Sequence, residues 1–318
     1  VAVPVAPSPT LATTIAGLTL RNPVILAAGT AGTLTELVGV CPLERVGGLV
    51  TKSLTPLPRD GNEAWRIVEC RGGVGMLNAI GLANPGIDAF TANLAERAAH
   101  LPTTVIASAA GFSIDDYVKV VAALDDWAER GIPAIELNVS CPNVRTGTEF
   151  GHSPALLRDL MLAVRPMAAK ARLFVKLSPA APDLVAVARA AIDAGADALT
   201  IGNTFPAMAI DVETRRPRLA NVTGGLSGPG LHPIAVRQVH EVYRSVARAA
   251  AVPIIGVGGV LTWRDAAEFI LAGASAVQMG TALFADPRSP ARVARGLERW
   301  VRRQGCAGVG DLVGAVIG

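Results

Sequence analysis

Residues 104–138 read TVIASAAGFSIDDYVKVVAALDDWAERGIPAIELN. Two nearly continuous apolar runs, Thr104–Ala109 and Ala134–Cys141, enclose a segment with helical periodicity. Ser113 is placed to cap the helix, and Ile114, Tyr117, Val118, Val121, Leu124 and Trp127 then recur on one face. Gly131 supplies the stop. Apolar runs without alternation suit parallel strands covered on both sides, and the helix between them is the crossover that parallel pairing needs.

The same unit recurs along the chain. Further runs are Asn22–Ala28, Gly48–Lys52, Leu173–Leu177, Ala198–Asn203, Pro253–Gly258 and Ala276–Gly280, which brings the strands to eight. Ser153-Pro154 reads as an N-cap followed by proline at the first helical position. Thr262-Trp263-Arg264-Asp265 resembles a capping arrangement, and Gly273 ends that helix. Eight βα units in 318 residues, with no linker between them, predict an α/β fold, a single (β/α)8 TIM barrel, over an open doubly wound sheet. One domain is expected over residues 1–318, with residues 1–15 an N-terminal extension and residues 304–318 a C-terminal tail.

Composition agrees. At 51% hydrophobic and 17% charged, the chain has enough apolar material to exclude a disordered class. Its formal net charge is +3, and the densest basic stretch, Arg215-Arg216-Pro217-Arg218, lacks aromatics, which argues against nucleic-acid binding. Four cysteines make no disulfide framework, and Cys41, Cys70 and Cys306 have no partner at metal-ligand spacing. No apolar run reaches the length of a membrane span. The stretch from Val1 to Ala16 has no basic n-region and is broken by Pro4, Pro7 and Pro9, so a soluble cytoplasmic setting is expected. The 33 glycines exceed the usual share of about 7% and imply tight turns or close backbone approach to a ligand.

A barrel of this kind builds its active site at the C-terminal strand ends. There the chain places Lys52-Ser53, Asn138 with Ser140-Cys141-Pro142-Asn143, Lys176, Asn203-Thr204, Gly258-Gly259 and Gly280-Thr281. Loops after strands seven and eight form the usual phosphate site of the fold, so the two glycine signals point to a phosphate-bearing cofactor. Lys52 and Lys176 admit two roles. Either could form a Schiff base with a carbonyl substrate, as in a lyase, or both could stay charged and stabilise anions. Gly75–Leu82 is apolar, loop-like and able to present successive N–H groups to a carboxylate. Val222–Gly230 reads as a mobile glycine-rich loop over the same mouth. The Cys141 thiol, with an ordinary pKa of about 8.5, can serve as general base or nucleophile. Its one neighbouring histidine, His152, begins the next helix, which argues against a protease-like Cys/His pair.

These pieces together resemble the class 1 dihydroorotate dehydrogenases, flavin-dependent TIM-barrel enzymes of pyrimidine biosynthesis. The resemblance runs from Leu18 to Phe284. It is carried by Asn22-Pro23 with Ala27–Thr30, Val50–Ser53, Gly75–Leu82 with Asn84-Pro85-Gly86, and Glu136–Asn143. Val175–Pro179, Met208–Asp211, Asn221–Pro229, Ile255–Val260 and Gly280-Thr281 complete it. The Asn-Val-Ser-Cys-Pro-Asn segment at 138–143 is its most specific part.

The resemblance implies FMN across the barrel mouth, its phosphate held by Gly258, Gly259, Gly280 and Thr281. Lys176, Asn138, Gly228 and Ser53 would contact the rest of the flavin. Three cofactor positions depart from the family pattern: Ala28 replaces a flavin-contacting serine, Ser108 an asparagine and Gly202 a branched residue. Lys52 would sit between flavin and substrate, holding the carboxylate of dihydroorotate with the backbone of Asn78, Ala79, Ile80, Gly81 and Leu82. Asn138, Asn143, Asn203 and Thr204 would hydrogen-bond the pyrimidine ring. Cys141 would take the C5 proton while the C6 hydride passes to flavin N5, giving orotate. Asn143–Gly147 with Phe150-Gly151 looks more like class 1B than the fumarate-using class 1A. Class 1B implies a homodimeric core and a second subunit that carries FAD and a 2Fe-2S cluster and passes electrons to NAD. The amphipathic membrane-binding extension of class 2 is not part of the pattern. A dihydropyrimidine dehydrogenase-like flavoprotein, and a Schiff-base lyase using Lys52 or Lys176, are the alternative readings.

Overall fold

Eight parallel strands close into a barrel in the computed structural model, which describes residues 8–139 and 147–317. In chain order they are β1 (Val24–Leu26), β2 (Gly48–Val50), β3 (Thr104–Ala109), β4 (Ala134–Asn138), β5 (Arg172–Leu177), β6 (Ala198–Ile201), β7 (Ile254–Val257) and β8 (Ala276–Met279). Each pairs with its successor, and β8 returns to β1 with Gln278 opposite Ile25. The expected runs are all present, mostly shorter at the mouth. Ladder pairing stops where the backbone turns to form loops, as at Gly202 (φ +107°) and Gly258 (φ +148°).

Alternate residues of each strand face the barrel axis. Ile25, Val50, Ile106, Ala134, Phe174, Ala198, Ile255 and Ala276 form an apolar plug together with Ile15 and Leu20. The last two belong to a hairpin, Thr13–Ile15 with Leu18–Leu20, whose turn residues Ala16 (φ +50°) and Gly17 (φ +84°) take the conformation a two-residue hairpin requires. Two residues further along the strands the interior becomes polar, with Glu136, Lys176, Thr200 and Gln278 all buried. The site stands on that floor.

The outer strand faces bury Leu26, Leu49, Val105, Ile135, Leu137, Leu173, Val175, Leu199 and Val277 under the helices. Each large aliphatic so buried is worth about 1.5–3 kcal/mol relative to exposure. The longer helices are α1 (Ile87–Asn93), α2 (Ile114–Asp125), α3 (Pro154–Val164), α4 (Leu184–Asp193), α5 (His232–Val242), α6 (Trp263–Ala272) and α7 (Ser289–Arg303). Ser113 and Ser153 cap α2 and α3, accepting from the N–H groups of Asp116 and Leu156. Thr262 and Asp265 form a reciprocal capping box on α6, and Gly273 (φ +123°) ends it. α2 stops at Asp125, short of Trp127, and a single 3-10 turn carries the chain to Gly131 (φ +116°). The first βα unit departs from the expected rhythm. Between β1 and β2 the chain forms turns and the 3-10 segment Leu43–Arg45 instead of an α-helix.

Two segments expected as loops are strands. Met76–Asn78, within Gly75–Leu82, and Gly224–Ser227, within Val222–Gly230, pair antiparallel in a four-stranded sheet whose outer members are Ile67–Glu69 and Phe205–Ala207. Close packing demands the glycines here. A Cβ on Gly225 would run into the Thr204 side chain, and one on Gly224 would lie 2.5 Å from the Asn78 carbonyl oxygen. Composition alone could not separate this use of glycine from a free loop.

Candidate active site

The mouth of the barrel opens into a pocket of about 430 Å³. Most of the expected site residues line it: Ala28, Lys52, Ser53, Asn78, Ile80, Gly81, Leu82, Asn138, Lys176, Asn203, Thr204, Gly228, Gly258, Gly259, Gly280 and Thr281. Three expected residues are not on its surface. Ala79 is buried with Leu77 and Leu219 in the small core beneath the four-stranded sheet. Ser108 stands behind Ser53, their hydroxyl oxygens 2.8 Å apart. At Gly202 a Cβ would meet the Val257 carbonyl, so glycine is what the turn after β6 requires. Cys141 and Asn143 lie outside the described residues.

One wall is a chain of amides and hydroxyls running across the ends of the alternate strands β2, β4 and β6. Asn138 Nδ2 donates to Ser53 Oγ at 3.1 Å, and Asn203 Nδ2 donates to Asn138 Oδ1 at 3.1 Å. The Thr204 N–H donates to Asn203 Oδ1. Tyr117 of α2 donates to the Asn138 carbonyl, which ties this wall to the helical layer. A planar ring with alternating donors and acceptors matches such a surface.

Another part of the wall comes from the loop after Met76–Asn78. Its carbonyl groups are engaged away from the pocket: Ala79 O and Ile80 O accept from the side chain and N–H of Asn62, Gly81 O from Arg59 Nε, and Leu82 O from Asn84 Nδ2. The N–H groups of Ile80, Gly81 and Leu82 have no acceptor among the described residues. Leu82 itself holds φ +57°, a strained conformation for a side-chain-bearing residue and one concentrated at functional sites. Beside this cradle lie Lys52 and Arg66. Burial pushes the Lys52 ammonium below the usual lysine range, the Arg66 guanidinium adds to the fall, and Glu36 opposes it. A carboxylate placed here would relieve both positive groups.

Lys176 forms part of the floor. Its Nζ donates to Gln278 Oε1 at 3.3 Å and lies 3.6 Å from Glu136 Oε1. The other carboxylate oxygen of Glu136 accepts from Thr200 Oγ1 and from Gln278 Nε2 at 2.6 Å. Gly228, Gly258, Gly259, Gly280 and Thr281 also line the pocket. The N–H groups of Gly259, Gly280 and Thr281 have no acceptor among the described residues. Thr281 Oγ1 donates to Ser227 Oγ, linking the end of β8 to the glycine-rich strand. Bare N–H groups on glycine turns are what a phosphate needs.

Sequence reasoning missed Glu136, Thr200 and Gln278, which sit mid-strand inside apolar runs. The signal was available in their two-residue spacing from Asn138, Gly202 and Gly280, which puts each on the same barrel face. Arg66, Thr30, Met76 and Ser227 also line the pocket; the last three fall inside stretches that carry the family resemblance, and nothing in the local sequence marks Arg66.

No helix among the described residues is long and apolar enough to cross a membrane, and no group of three metal-ligating side chains occurs among them. Cys41, Cys70 and Cys306 are free.

The fold and pocket define a TIM barrel whose amide-lined mouth gathers Lys52, Arg66 and Lys176, the setting of a small-molecule enzyme. The family model for dihydroorotate dehydrogenase matches residues 10–301. The chain belongs to the dihydroorotate dehydrogenase family, and is thus an oxidoreductase. A dihydroorotate dehydrogenase B (NAD(+)) catalytic subunit of Pelobacter propionicus is 47% identical over 309 residues, covering 97% of this chain and 99% of that protein. Its counterpart in Trichlorobacter lovleyi is 47% identical over 311 residues, covering 98% and 99%. A protein of Solibacter usitatus, provisionally named dihydroorotate dehydrogenase A (fumarate), is 44% identical over 310 residues, covering 97% and 99%.

Proposed function

We propose that this protein oxidises dihydroorotate to orotate with FMN as its cofactor. The observation that carries the reading is one pocket that joins a glycine turn cluster to Lys52 and the Ile80–Leu82 segment, the N–H groups of both having no acceptor among the described residues. It offers a phosphate site and a carboxylate site in one cavity. The residues present fit the cofactor: bare N–H groups for its phosphate, the buried Lys176 for its polar edge, and apolar Ala27, Ala28 and Val257 along the walls.

In this reading Gly228, Gly258, Gly259, Gly280 and Thr281 hold the phosphate end of FMN, and Ser53, Asn138 and Lys176 the remainder. Lys52 and the amide cradle orient the substrate carboxylate. Asn138, Asn203 and Thr204, with Asn143, hydrogen-bond the pyrimidine ring. Cys141 accepts the proton from C5. FMN supplies the hydride acceptor for C6. A substrate lacking the carboxylate would leave Lys52 buried without its anion, which favours dihydroorotate over a simple dihydropyrimidine.

The names of the Pelobacter and Trichlorobacter relatives, each a catalytic subunit of an NAD(+) enzyme, support electron delivery to NAD through a separate subunit. The FAD and 2Fe-2S cluster of that subunit, and a homodimer of this chain at the core, rest on the class 1B resemblance of the sequence. A cytoplasmic location suits the free cysteines.

The purified protein is expected to be yellow, and anaerobic dihydroorotate to bleach its flavin absorbance. A colourless protein that borohydride traps on a keto substrate through Lys52 or Lys176 would replace this reading with a Schiff-base lyase.

A further inference from the structure

His232 opens α5 directly behind the glycine turn at the end of β7, and it does not line the pocket. Its side chain is 12% exposed. Nδ1 lies 2.9 Å from the Gly258 carbonyl oxygen, and Nε2 lies 3.2 Å from Oε2 of Glu268 on α6. The Phe269 ring packs edge-on against it, with centroids 5.1 Å apart and planes at 90°. The Gly258 carbonyl can only accept, so Nδ1 is the nitrogen that donates to it.

The peptide between Gly258 and Gly259 is flanked by glycines on both sides, so no side chain of its own resists a flip of its plane. In a trans peptide the carbonyl oxygen and the following N–H point in opposite directions. Holding the Gly258 carbonyl toward His232 therefore turns the Gly259 N–H away from α5. Gly259 lines the pocket, and that N–H has no acceptor among the described residues. Contact is close on this side. A Cβ on Gly259 would lie 2.8 Å from His232 Cβ and 2.8 Å from the Gly228 carbonyl oxygen.

We propose that His232, braced by Glu268, is a positioning residue for phosphate recognition: it locks the Gly258–Gly259 peptide in the orientation that offers the Gly259 N–H to the cofactor's phosphate. The inference rests on the flavin reading above. It touches neither substrate nor phosphate directly, and acts through the peptide plane.

The test compares two flavins that differ by the phosphate alone. Flavin-free protein is titrated with FMN and with riboflavin, following the quenching of flavin fluorescence. His232→Ala is expected to weaken FMN about tenfold or more, the scale of a hydrogen bond to a charged group, and to leave riboflavin affinity unchanged. His232→Asn is expected to recover most of the loss, because its amide can donate to the Gly258 carbonyl from the place of Nδ1. An equal fall for both flavins, or unchanged FMN affinity, overturns the inference while leaving the flavin reading intact. Unmodified protein that binds neither flavin overturns both.

Discussion

Lys176 Nζ lies 3.6 Å from the Glu136 carboxylate, and neither side chain is more than 7% exposed. A pair this deeply buried gains its stability from being complete. Removing one partner strands the other charge, at a cost of about 3–5 kcal/mol, whereas removing both is far milder. Glu136 Oε1 already has no hydrogen-bond partner in the described structure, so Lys176→Met should be the more damaging single change. The double variant Glu136→Gln/Lys176→Met is expected to recover much of the lost stability. Denaturant midpoints of the two single variants and the double variant check this, and simple additivity would contradict the coupling.

Lys52 should make substrate affinity depend on pH. Its folded pKa lies below the ordinary 10.5, chiefly through burial. Between the folded and unfolded values the unfolded chain binds more protons, so stability rises with pH across that window; below it, the buried charge carries its full cost. A bound carboxylate favours the charged form. Orotate affinity should therefore fall as pH rises through the lowered pKa, below the ordinary 10.5. Lys52→Met should flatten that dependence and weaken orotate about tenfold to a hundredfold at neutral pH. Calorimetric titration across pH measures it, and equal affinity in the variant would reject the assignment.

The legible and illegible parts of the site divide along a physical line. Strand ends such as Lys52, Asn138, Lys176 and Asn203 were readable because apolar runs end there in polar residues, and a barrel converges its strand ends. Glu136 and Gln278 were hidden because a strand buried on both faces shows no polar alternation to draw attention to its interior side. The antiparallel sheet was hidden for another reason. Gly224-Gly225 reads as a loop until Thr204 and Asn78 are seen pressed against it, and that proximity is a long-range fact. His232 likewise gains meaning only from Gly258 and Glu268, both distant in sequence.

Glu36 should make the pocket rim acid-sensitive. Its carboxylate accepts the N–H groups of Thr33, Leu34 and Thr35 at 2.7–2.9 Å. Burial opposes ionisation, yet the backbone N–H donors outweigh it and hold the carboxyl below the usual 4.5. A lowered folded pKa contributes stability that is complete above 4.5 and is lost as pH falls toward the folded value. The same loop brings Gly29 and Thr30 to the pocket, and its Gly32 carbonyl accepts the Lys52 N–H. Amide exchange at residues 33–35, corrected for intrinsic rates, should thus lose protection on acidification. Glu36→Gln should show the loss already at neutral pH; protection equal to the unmodified protein would exclude the carboxylate as the organising group.

Thiol chemistry separates the cysteines. Burial, with Glu44 adding repulsion, pushes the Cys41 thiol up to about 11. At pH 8 it is almost wholly protonated and shielded, so brief iodoacetamide treatment should leave it unmodified. Cys141 has a different proposed role, as the acceptor of the C5 proton, and its replacement should act on the chemical step alone. Cys141→Ala is expected to slow anaerobic flavin reduction by dihydroorotate about a hundredfold to ten-thousandfold, the usual contribution of a positioned general base, while the protein keeps its FMN. Cys141→Ser, which retains a weaker acceptor, should fall between. Stopped-flow absorbance follows both, and reduction rates matching the unmodified protein would reassign the base to another group.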